Sequence, residues 1–258
     1  MLSRLKSAVK ASPIGEPAQH IYIFMRLVPR AVMRFMRRDG KCIRRYLSAH
    51  DVRKLQLGSG TNILDGWLNS DYDTTQFETI FLDATGKYPF EDDTFDYVFS
   101  EHMIEHVSFE KGQTMLRECF RVLRDGGKIR ISTPDMAFLI SLYGCDKSEL
   151  QKAYINWVVK EFLPDAPLAE DTFVINSFVR NWGHTFIYDE KTLRFCLANA
   201  GFAEIKRYNL NQSDDRYLCD LEHAKRMPEG FLQLESLVME AVKRGSGSRG
   251  ISTSIAAQ

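Results

Sequence analysis

The sequence lacks the features by which secreted, disulfide-stabilised and membrane-spanning proteins are usually recognised. Its five cysteines are scattered and form no C-x-x-C pair, which argues against a disulfide framework and favours a reducing compartment. No apolar run reaches the roughly 18 uninterrupted residues of a membrane span. The basic N-terminus has no clean apolar core or small-residue cleavage site, so we expect no signal peptide. We therefore expect a cytoplasmic protein.

The charge is unevenly distributed although its formal sum is +0. Residues 1–45 hold eleven Lys or Arg against two acidic residues. Within them, residues 17–47 are predicted to form two helical pieces, interrupted by Pro29 and with a turn at Asp39-Gly40. Two interpretations stay open: a helix that packs on the domain with its arginines in water, or a helix that contacts a membrane surface or a polyanion. The second would add peripheral contact at the inner membrane face to the cytoplasmic location.

From Lys54 onward, short apolar strands alternate with helices, the pattern of a mainly parallel sheet with helices on its faces. The predicted strands include KLQLGSG, TIFLD (79–83), DYVFS (96–100) and KIRIS (128–132). A helix before the last of these is predicted to begin after Ser108 and to end at Gly126 or Gly127. A further unit spans 188–210, with Asp189 as helix cap, Gly201 as the stop and a strand after it.

We divide the chain into three parts. Residues 1–50 form a basic helical extension, residues 51–242 the main domain, and residues 243–258 a Gly- and Ser-rich tail predicted to be disordered. Within the main domain, residues 136–188 are longer than a crossover needs and rich in aromatic residues, which indicates a substrate lid. The alternative is a helical pair that only covers the sheet.

A glycine turn, Gly58-Ser59-Gly60, follows the first strand, where backbone N–H groups can converge on an anion. The turn does not fit a nicotinamide dinucleotide site. Such a site needs G-x-G-x-x-G and an acid about 20 residues on, whereas Ile63 takes the third glycine position and Asp71 comes too early.

The order of motifs resembles the class I S-adenosylmethionine-dependent methyltransferases, particularly their small-molecule "type 11" group, from about Lys54 to Asp135. The resemblance rests on LQLGSG, LDA, YPFEDDTFDYVFSEHMIEHV and LRECFRVLRDGGKIRISTPD in that order. It implies a Rossmann-like α/β fold with a mainly parallel seven-stranded sheet, the cofactor S-adenosyl-L-methionine and methyltransferase activity. The short TNILDG connection departs from the family, in which a full helix usually precedes the second strand.

The resemblance also implies roles for particular residues. Gly58, Ser59 and Gly60 would hold the carboxylate of the cofactor, Asp71 both ribose hydroxyls, and Tyr72 one adenine face.

At the next two strand ends, Asp83 and Ala84 would meet the adenine edge, and Ser100 and His102 would border the sulfonium. His102 is the leading candidate for a proton acceptor or substrate orienter, and a ring that only packs beside the cofactor is the alternative. His184 is the second catalytic candidate, and Tyr188 is a further residue expected to contact substrate.

His102, Glu105 and His106 also spell H-x-x-E-H, the signature of inverted zinc proteases. Such a site needs the motif inside a long helix, but here a strand precedes it and Ser108 begins a new helix. We interpret the spelling as coincidence and expect no metal, leaving a zinc hydrolase as a minor alternative.

The sequence restricts the acceptor more than it identifies it. The turn after DYVFS reads S-E-H-M, where methyltransferases that act on adenine or glutamine amides carry N-P-P-Y or D-P-P-Y, which argues against a nucleic-acid substrate. We therefore expect a small-molecule or glycan acceptor, free or lipid-linked, and favour oxygen as the methylated atom. A non-catalytic binding protein that keeps the fold is the alternative, and the oligomeric state is left open.

Overall fold

A seven-stranded sheet organises the chain in this computed structural model, which describes residues 38–73 and 79–245. The strand order is β3-β2-β1-β4-β5-β7-β6, and only the pairings of β7 with β5 and β6 are antiparallel among the described strands. The strands are β1 (Lys54–Leu57), β2 (Leu68–Asp71), β3 (Ile80–Phe81), β4 (Phe95–Glu101), β5 (Leu123–Pro134), β6 (Phe202–Tyr208) and β7 (Ser236–Lys243). This confirms the predicted mainly parallel α/β fold.

Helices cover the sheet and fill its connections. They are α1 (Arg38–Ala49), α2 (Phe109–Val122), α3 (Met136–Leu142), α4 (Glu149–Phe162), α5 (Asp171–Arg180), α6 (Glu190–Asn199) and α7 (Phe231–Glu235), with single 3₁₀ turns at Ile104–His106 and Ala224–Arg226. No helix among these is long and apolar enough to cross a membrane. Most of the predicted basic segment 17–47 and of the tail 243–258 lies outside the described residues.

The local sequence explains most helix ends, with two corrections. Ser108 accepts a hydrogen bond from the N–H of Lys111 and caps α2, and Asp189 caps α6 through Thr192. Asp39 and Gly40 lie inside the first turn of α1 rather than in a separate turn. Likewise, α2 ends at Val122, before the predicted glycines, because the chain turns directly into β5 there.

The two largest apolar cores of the described residues lie between the sheet and its helices and within the helical insertion, residues 136–188. The main core packs α2 and α6 against the sheet, with Leu55, Val98 and Ile129 fully buried. A second core joins α3, α4 and α5 with the short helix α7 and contains Phe138 and Tyr154. The insertion is therefore a small packed unit in its own right, and it stands above the carboxyl end of the parallel strands.

All five cysteines lie within the described residues and are free thiols.

A buried ion-pair network is centred on Arg130 of β5. Its fully buried guanidinium pairs with Glu222 through two hydrogen bonds of 2.6 and 3.0 Å and with Glu240 at 2.5 Å. These ion pairs link β5, β7 and the long connection between β6 and β7.

Candidate active site

The glycine turn lies where β1 ends, and both glycines have positive φ angles, +65° at Gly58 and +52° at Gly60. They differ in their surroundings. A side chain at Gly58 would lie 2.5 Å from the Cγ atom of Met103, so this glycine allows the turn to pack against the end of β4. A side chain at Gly60 would meet nothing within 4 Å. Gly60 therefore leaves open space beside the turn that a ligand could occupy.

Asp71 and Gly60 are brought together across the ends of β1 and β2. The Gly60 N–H donates to Oδ2 of Asp71 at 2.8 Å, and the Asp73 N–H donates to Oδ1 at 2.6 Å. Two backbone donors thus fix the carboxylate beside the glycine turn. Tyr72 is 54% exposed, and its ring lies 5.4 Å from that of Phe81, so one side of this strand end carries an accessible aromatic face.

Asp83 and Ala84 follow β3 along the same edge. Oδ1 of Asp83 accepts from the Thr85 N–H at 2.9 Å and from its hydroxyl at 2.7 Å. The Ala84 carbonyl accepts the hydroxyl of buried Tyr88 at 3.1 Å. These bonds form a compact turn that keeps the exposed Asp83 carboxylate at the strand end.

Two serine hydroxyls are buried at this edge without a hydrogen-bond partner among the described residues. Ser59 is 3% exposed and Ser100 is fully buried. The Ser59 N–H donates to the carbonyl of Ser70 at 3.0 Å, which ties the glycine turn to β2. Buried hydroxyls without partners are unfavourable in a protein interior, so their presence beside the open glycine is consistent with a polar ligand.

A cavity of about 320 Å³ opens next to this edge, between the end of the sheet and the helical insertion. Its aromatic wall consists of Tyr154, Trp157, Phe162, Phe178 and Trp182. Its polar wall consists of His102, Glu105, His106, His184, Arg226 and Glu235. Such a combination of apolar walls and a few convergent polar groups is typical of small-molecule sites.

His102 connects the strand edge to the cavity. It has a left-handed backbone conformation with φ 45°, directly after β4. Its Nε2 lies 3.1 Å from the Ser236 hydroxyl, and its Nδ1 faces Oε1 of Glu105 at 3.5 Å. The pKa of His102 lies well below its usual range, mainly because the ring is buried and secondly because the Arg226 guanidinium is nearby. The ring is therefore neutral at physiological pH, the form in which one ring nitrogen keeps a lone pair.

Glu105, His106 and His184 meet at one end of the cavity. Glu105 is fully buried, which raises the pKa of its carboxyl to about 8. Its Oε2 accepts from the Thr133 hydroxyl at 3.0 Å. The rings of His106 and His184 lie 4.9 Å apart. The H-x-x-E-H letters do not form the zinc-protease helix, because only a single 3₁₀ turn spans Ile104–His106.

The structure separates Tyr188 from the other predicted substrate residues. Tyr188 is fully buried in the main core and does not line the cavity. Its hydroxyl stands 2.5 Å from where a side chain at Gly112 would be, so it packs against α2. His184, by contrast, reaches the cavity. The structure therefore places Tyr188 in the core, and its contact with substrate stays a prediction that the cavity does not support.

Sequence reasoning missed the contribution of the connection between β6 and β7. Arg226 and Glu235 line the cavity, and Glu101 at the end of β4 accepts from the His223 N–H at 3.1 Å and lies 3.7 Å from Arg226. The signal available was length, because a connection from 209 to 235 is longer than crossovers require and such loops often carry function.

Comparisons with known proteins agree with this geometry. Residues 55–131 match a family model described as a methyltransferase domain. A search of curated proteins gives no significant match to the sequence.

Among solved structures, a Thermotoga maritima S-adenosylmethionine-dependent methyltransferase, described as a possible histamine N-methyltransferase, is 17% identical with a TM-score of 0.45, over 77% of this chain and 88% of that chain. An Archaeoglobus fulgidus S-adenosylmethionine-dependent methyltransferase is 17% identical with a TM-score of 0.44, over 84% and 94%. A phosphoethanolamine N-methyltransferase of Haemonchus contortus, bound to phosphomonomethylethanolamine and S-adenosylhomocysteine, is 14% identical with a TM-score of 0.39, over 75% and 49%.

The sheet order is that of a Rossmann-like α/β fold, and the methyltransferase domain matched over residues 55–131 indicates an enzyme that uses S-adenosyl-L-methionine.

The residues at the strand edge fit this cofactor. The open space at Gly60 and the unpartnered Ser59 hydroxyl suit its carboxylate, and the carboxylates of Asp71 and Asp83 suit the ribose hydroxyls and the adenine amino group. When bound, the cofactor supplies an electrophilic methyl carbon on a sulfonium.

Proposed function

We propose that the protein transfers a methyl group to an oxygen atom of a small-molecule acceptor, or of the head of a lipid-linked glycan, held in the cavity. The observation that carries the proposal is the aromatic-walled cavity of about 320 Å³ that reaches His102. Its volume lies at the low end of the roughly 300–1,000 Å³ of small-molecule pockets. A single ring or sugar headgroup suits such a space better than a polymer.

Three consecutive residues connect the cavity with the glycine turn. Glu101 ends β4, His102 lines the cavity, and Met103 packs on Gly58. An acceptor beside His102 would therefore face the sulfonium end of the cofactor site. Methyl transfer is an in-line displacement, so holding the nucleophile about 3–3.5 Å from the methyl carbon is the main requirement.

The chemistry of the polar wall favours oxygen. A hydroxyl must lose its proton as it is methylated, and the neutral ring of His102 can accept that proton. The acceptor oxygen gains the methyl group, the hydroxyl proton moves to the imidazole, and the carbon–sulfur electron pair remains on sulfur. The Ser236 hydroxyl, 3.1 Å from Nε2, orients the ring, and Glu105 faces its other nitrogen at 3.5 Å.

Aromatic walls supply the binding surface for the acceptor. The rings of Trp157, Phe162 and Trp182 form successive edge-on contacts, with centroids 5.2 and 5.6 Å apart. Such faces bind flat rings and the apolar faces of sugars.

We also propose that residues 17–47 contact a membrane surface. Most of this segment lies outside the described residues.

The test is product formation with matched acceptors. Ring compounds bearing a hydroxyl are compared with the same compounds bearing an amino group, and release of S-adenosylhomocysteine is measured. We expect turnover with hydroxyl acceptors, a raised KM in Trp157→Ala and little change in Tyr143→Ala, whose side chain is 72% exposed and outside the cavity. Turnover confined to amines would contradict the assignment of oxygen.

His102 is tested by separating turnover from binding. His102→Ala is expected to lower kcat about 10²- to 10⁴-fold, the range typical of general bases, while affinity for S-adenosylhomocysteine changes little. Equal losses in both quantities would show that the ring only supports the cofactor site.

A further inference from the structure

Three side chains that offer nitrogen and oxygen ligand atoms converge at one end of the cavity. Ligand atoms of Glu105, His106 and His184 all lie within 4.8 Å of one another. Oε1 of Glu105 is 3.9 Å from Nε2 of His106. All three residues line the cavity. The separations are those of groups that could surround one ion with modest rotation of the side chains.

His184 is already oriented as a metal ligand would be. Its Nδ1 lies 2.7 Å from the carbonyl oxygen of Phe178. Since a carbonyl only accepts, Nδ1 carries the proton and Nε2 keeps its free lone pair. Metal-bound histidines typically donate their second ring nitrogen to a carbonyl or carboxylate in this way.

Glu105 offers a buried oxygen, Oε1, which makes no hydrogen bond among the described residues and has His102 Nδ1 at 3.5 Å. Its side chain is 0% exposed, and its Oε2 is occupied by the Thr133 hydroxyl, whereas Oε1 has no hydrogen-bond partner. A fully buried carboxyl oxygen without a hydrogen-bond partner is unfavourable. A cation between Oε1 and the two imidazoles would remove that cost.

The backbone fixes the three ligands relative to one another. The Glu105 carbonyl accepts the N–H groups of Thr185 and Phe186 at 2.8 and 3.2 Å. These bonds attach the loop carrying His184 directly to the turn carrying Glu105 and His106. His184 is thereby held next to Glu105 and His106, although about 80 residues separate them in the chain.

We propose that Glu105, His106 and His184 form a binding site for one divalent transition-metal ion, with a coordination position open to the acceptor cavity. Two imidazoles and one carboxylate suit ions such as Zn²⁺, and three protein ligands leave room for an exogenous oxygen. The site departs from the sequence expectation of no metal. It also differs from the H-x-x-E-H set, because His184 replaces His102 among the ligands.

The role of the ion rests on the proposed function. An acceptor hydroxyl bound to it would ionise more readily, because a bound cation lowers the pKa of a coordinated oxygen. His102, beside Glu105, would receive the hydroxyl proton. The oxygen–methyl bond forms as the carbon–sulfur bond breaks with its electron pair on sulfur. Metal binding itself requires no catalysis and is tested first.

The first experiment titrates metal-stripped protein with Co²⁺ and follows its visible absorption bands, with Zn²⁺ measured by calorimetry. We expect one ion per chain in the wild type and in the control His50→Asn, which alters a histidine stacked on Tyr46 in α1. His106→Asn and His184→Asn should weaken binding by more than about 100-fold, since losing even a partner of a ligand weakens it about 10- to 100-fold.

Two outcomes overturn the site: no stoichiometric ion in the wild type, or binding that survives both substitutions. Thermal unfolding and S-adenosylhomocysteine binding of the metal-free variants verify that they are folded. Because cofactor binding is measured on the same samples, a wild type that binds S-adenosylhomocysteine but no stoichiometric ion refutes only the metal site. The open position is tested with acetohydroxamate, an oxygen chelator, which should shift the Co²⁺ bands. Unchanged bands would contradict direct coordination of an acceptor.

Discussion

Glu235→Gln should make the stability of the protein less dependent on pH. Glu235 is 5% exposed and accepts the hydroxyl of Tyr154. Burial raises the pKa of its carboxyl from 4.5 to about 7, although the Tyr154 hydrogen bond and the Arg226 guanidinium oppose the rise. Nearby Glu105 is the other acid in the cavity wall. Glutamine keeps an acceptor for Tyr154 but carries no titrating proton.

The sign follows from which state holds the proton. Between pH 4.5 and 7 the folded protein keeps the proton on Glu235 and the unfolded chain loses it. The contribution of this group is therefore complete below pH 4.5 and is lost as the pH rises through 7. At about 1.4 kcal/mol per pKa unit, the difference between the pKa of 4.5 in the unfolded chain and about 7 in the folded protein corresponds to about 3 kcal/mol.

Urea unfolding at pH 5 and pH 8 measures the effect. Relative to wild type, Glu235→Gln should gain about 2–3 kcal/mol of unfolding free energy between the two pH values. Glu149→Gln is the control, because the Glu149 side chain is 90% exposed, and it should track the wild type. If the unfolding free energies of Glu235→Gln and wild type differed by the same amount at pH 5 and pH 8, the assignment of a buried, protonated carboxyl would be refuted.

Other substitutions test the fold, the glycine turn and the metal site. Arg130→Met should destabilise the protein by about 3–5 kcal/mol in urea unfolding, because it leaves two buried carboxylates without their cation; a loss below about 1 kcal/mol would contradict this. Gly58→Ala forces a side chain against Met103 at a positive φ and should weaken S-adenosylhomocysteine binding at least about 10-fold by calorimetry, costing about 1–2 kcal/mol in backbone strain alone; unchanged affinity would exclude close packing there. Thr133→Val removes the donor to Glu105 and should lower Co²⁺ affinity about 10-fold; unchanged affinity would show that this bond does not orient the ligand.

The parallel half of the fold could be predicted because each local signal agrees with the others there. Strand-ending acids at Asp71 and Asp83, the Ser108 cap and the glycine turn are short-range features, and the structure places each where its spacing indicates. The short connection after Gly60 likewise has turns and no helix between β1 and β2.

The cavity could not be predicted to the same depth, because it is built by contacts distant in sequence. Arg226 and Glu235 come from a connection whose local pattern gives no sign of which way it folds. The meeting of His184 with Glu105 depends on hydrogen bonds between segments 80 residues apart. Tyr188 was misplaced for a related reason: an aromatic residue suits a core and a binding wall equally, and only packing against Gly112 distinguishes the two.

Calorimetric titration with S-adenosylhomocysteine tests the central claim most directly, that the cofactor lies along the carboxyl ends of β1 to β4. Wild type and Asp51→Ala, an exposed acid before β1 at the opposite end of the sheet, should bind one ligand per chain. Asp71→Ala should bind about 10- to 100-fold more weakly, since a hydrogen bond to a charged group contributes about 1.5–3 kcal/mol. Equal affinity in Asp71→Ala and wild type, or no binding in any of the three proteins, would contradict the account.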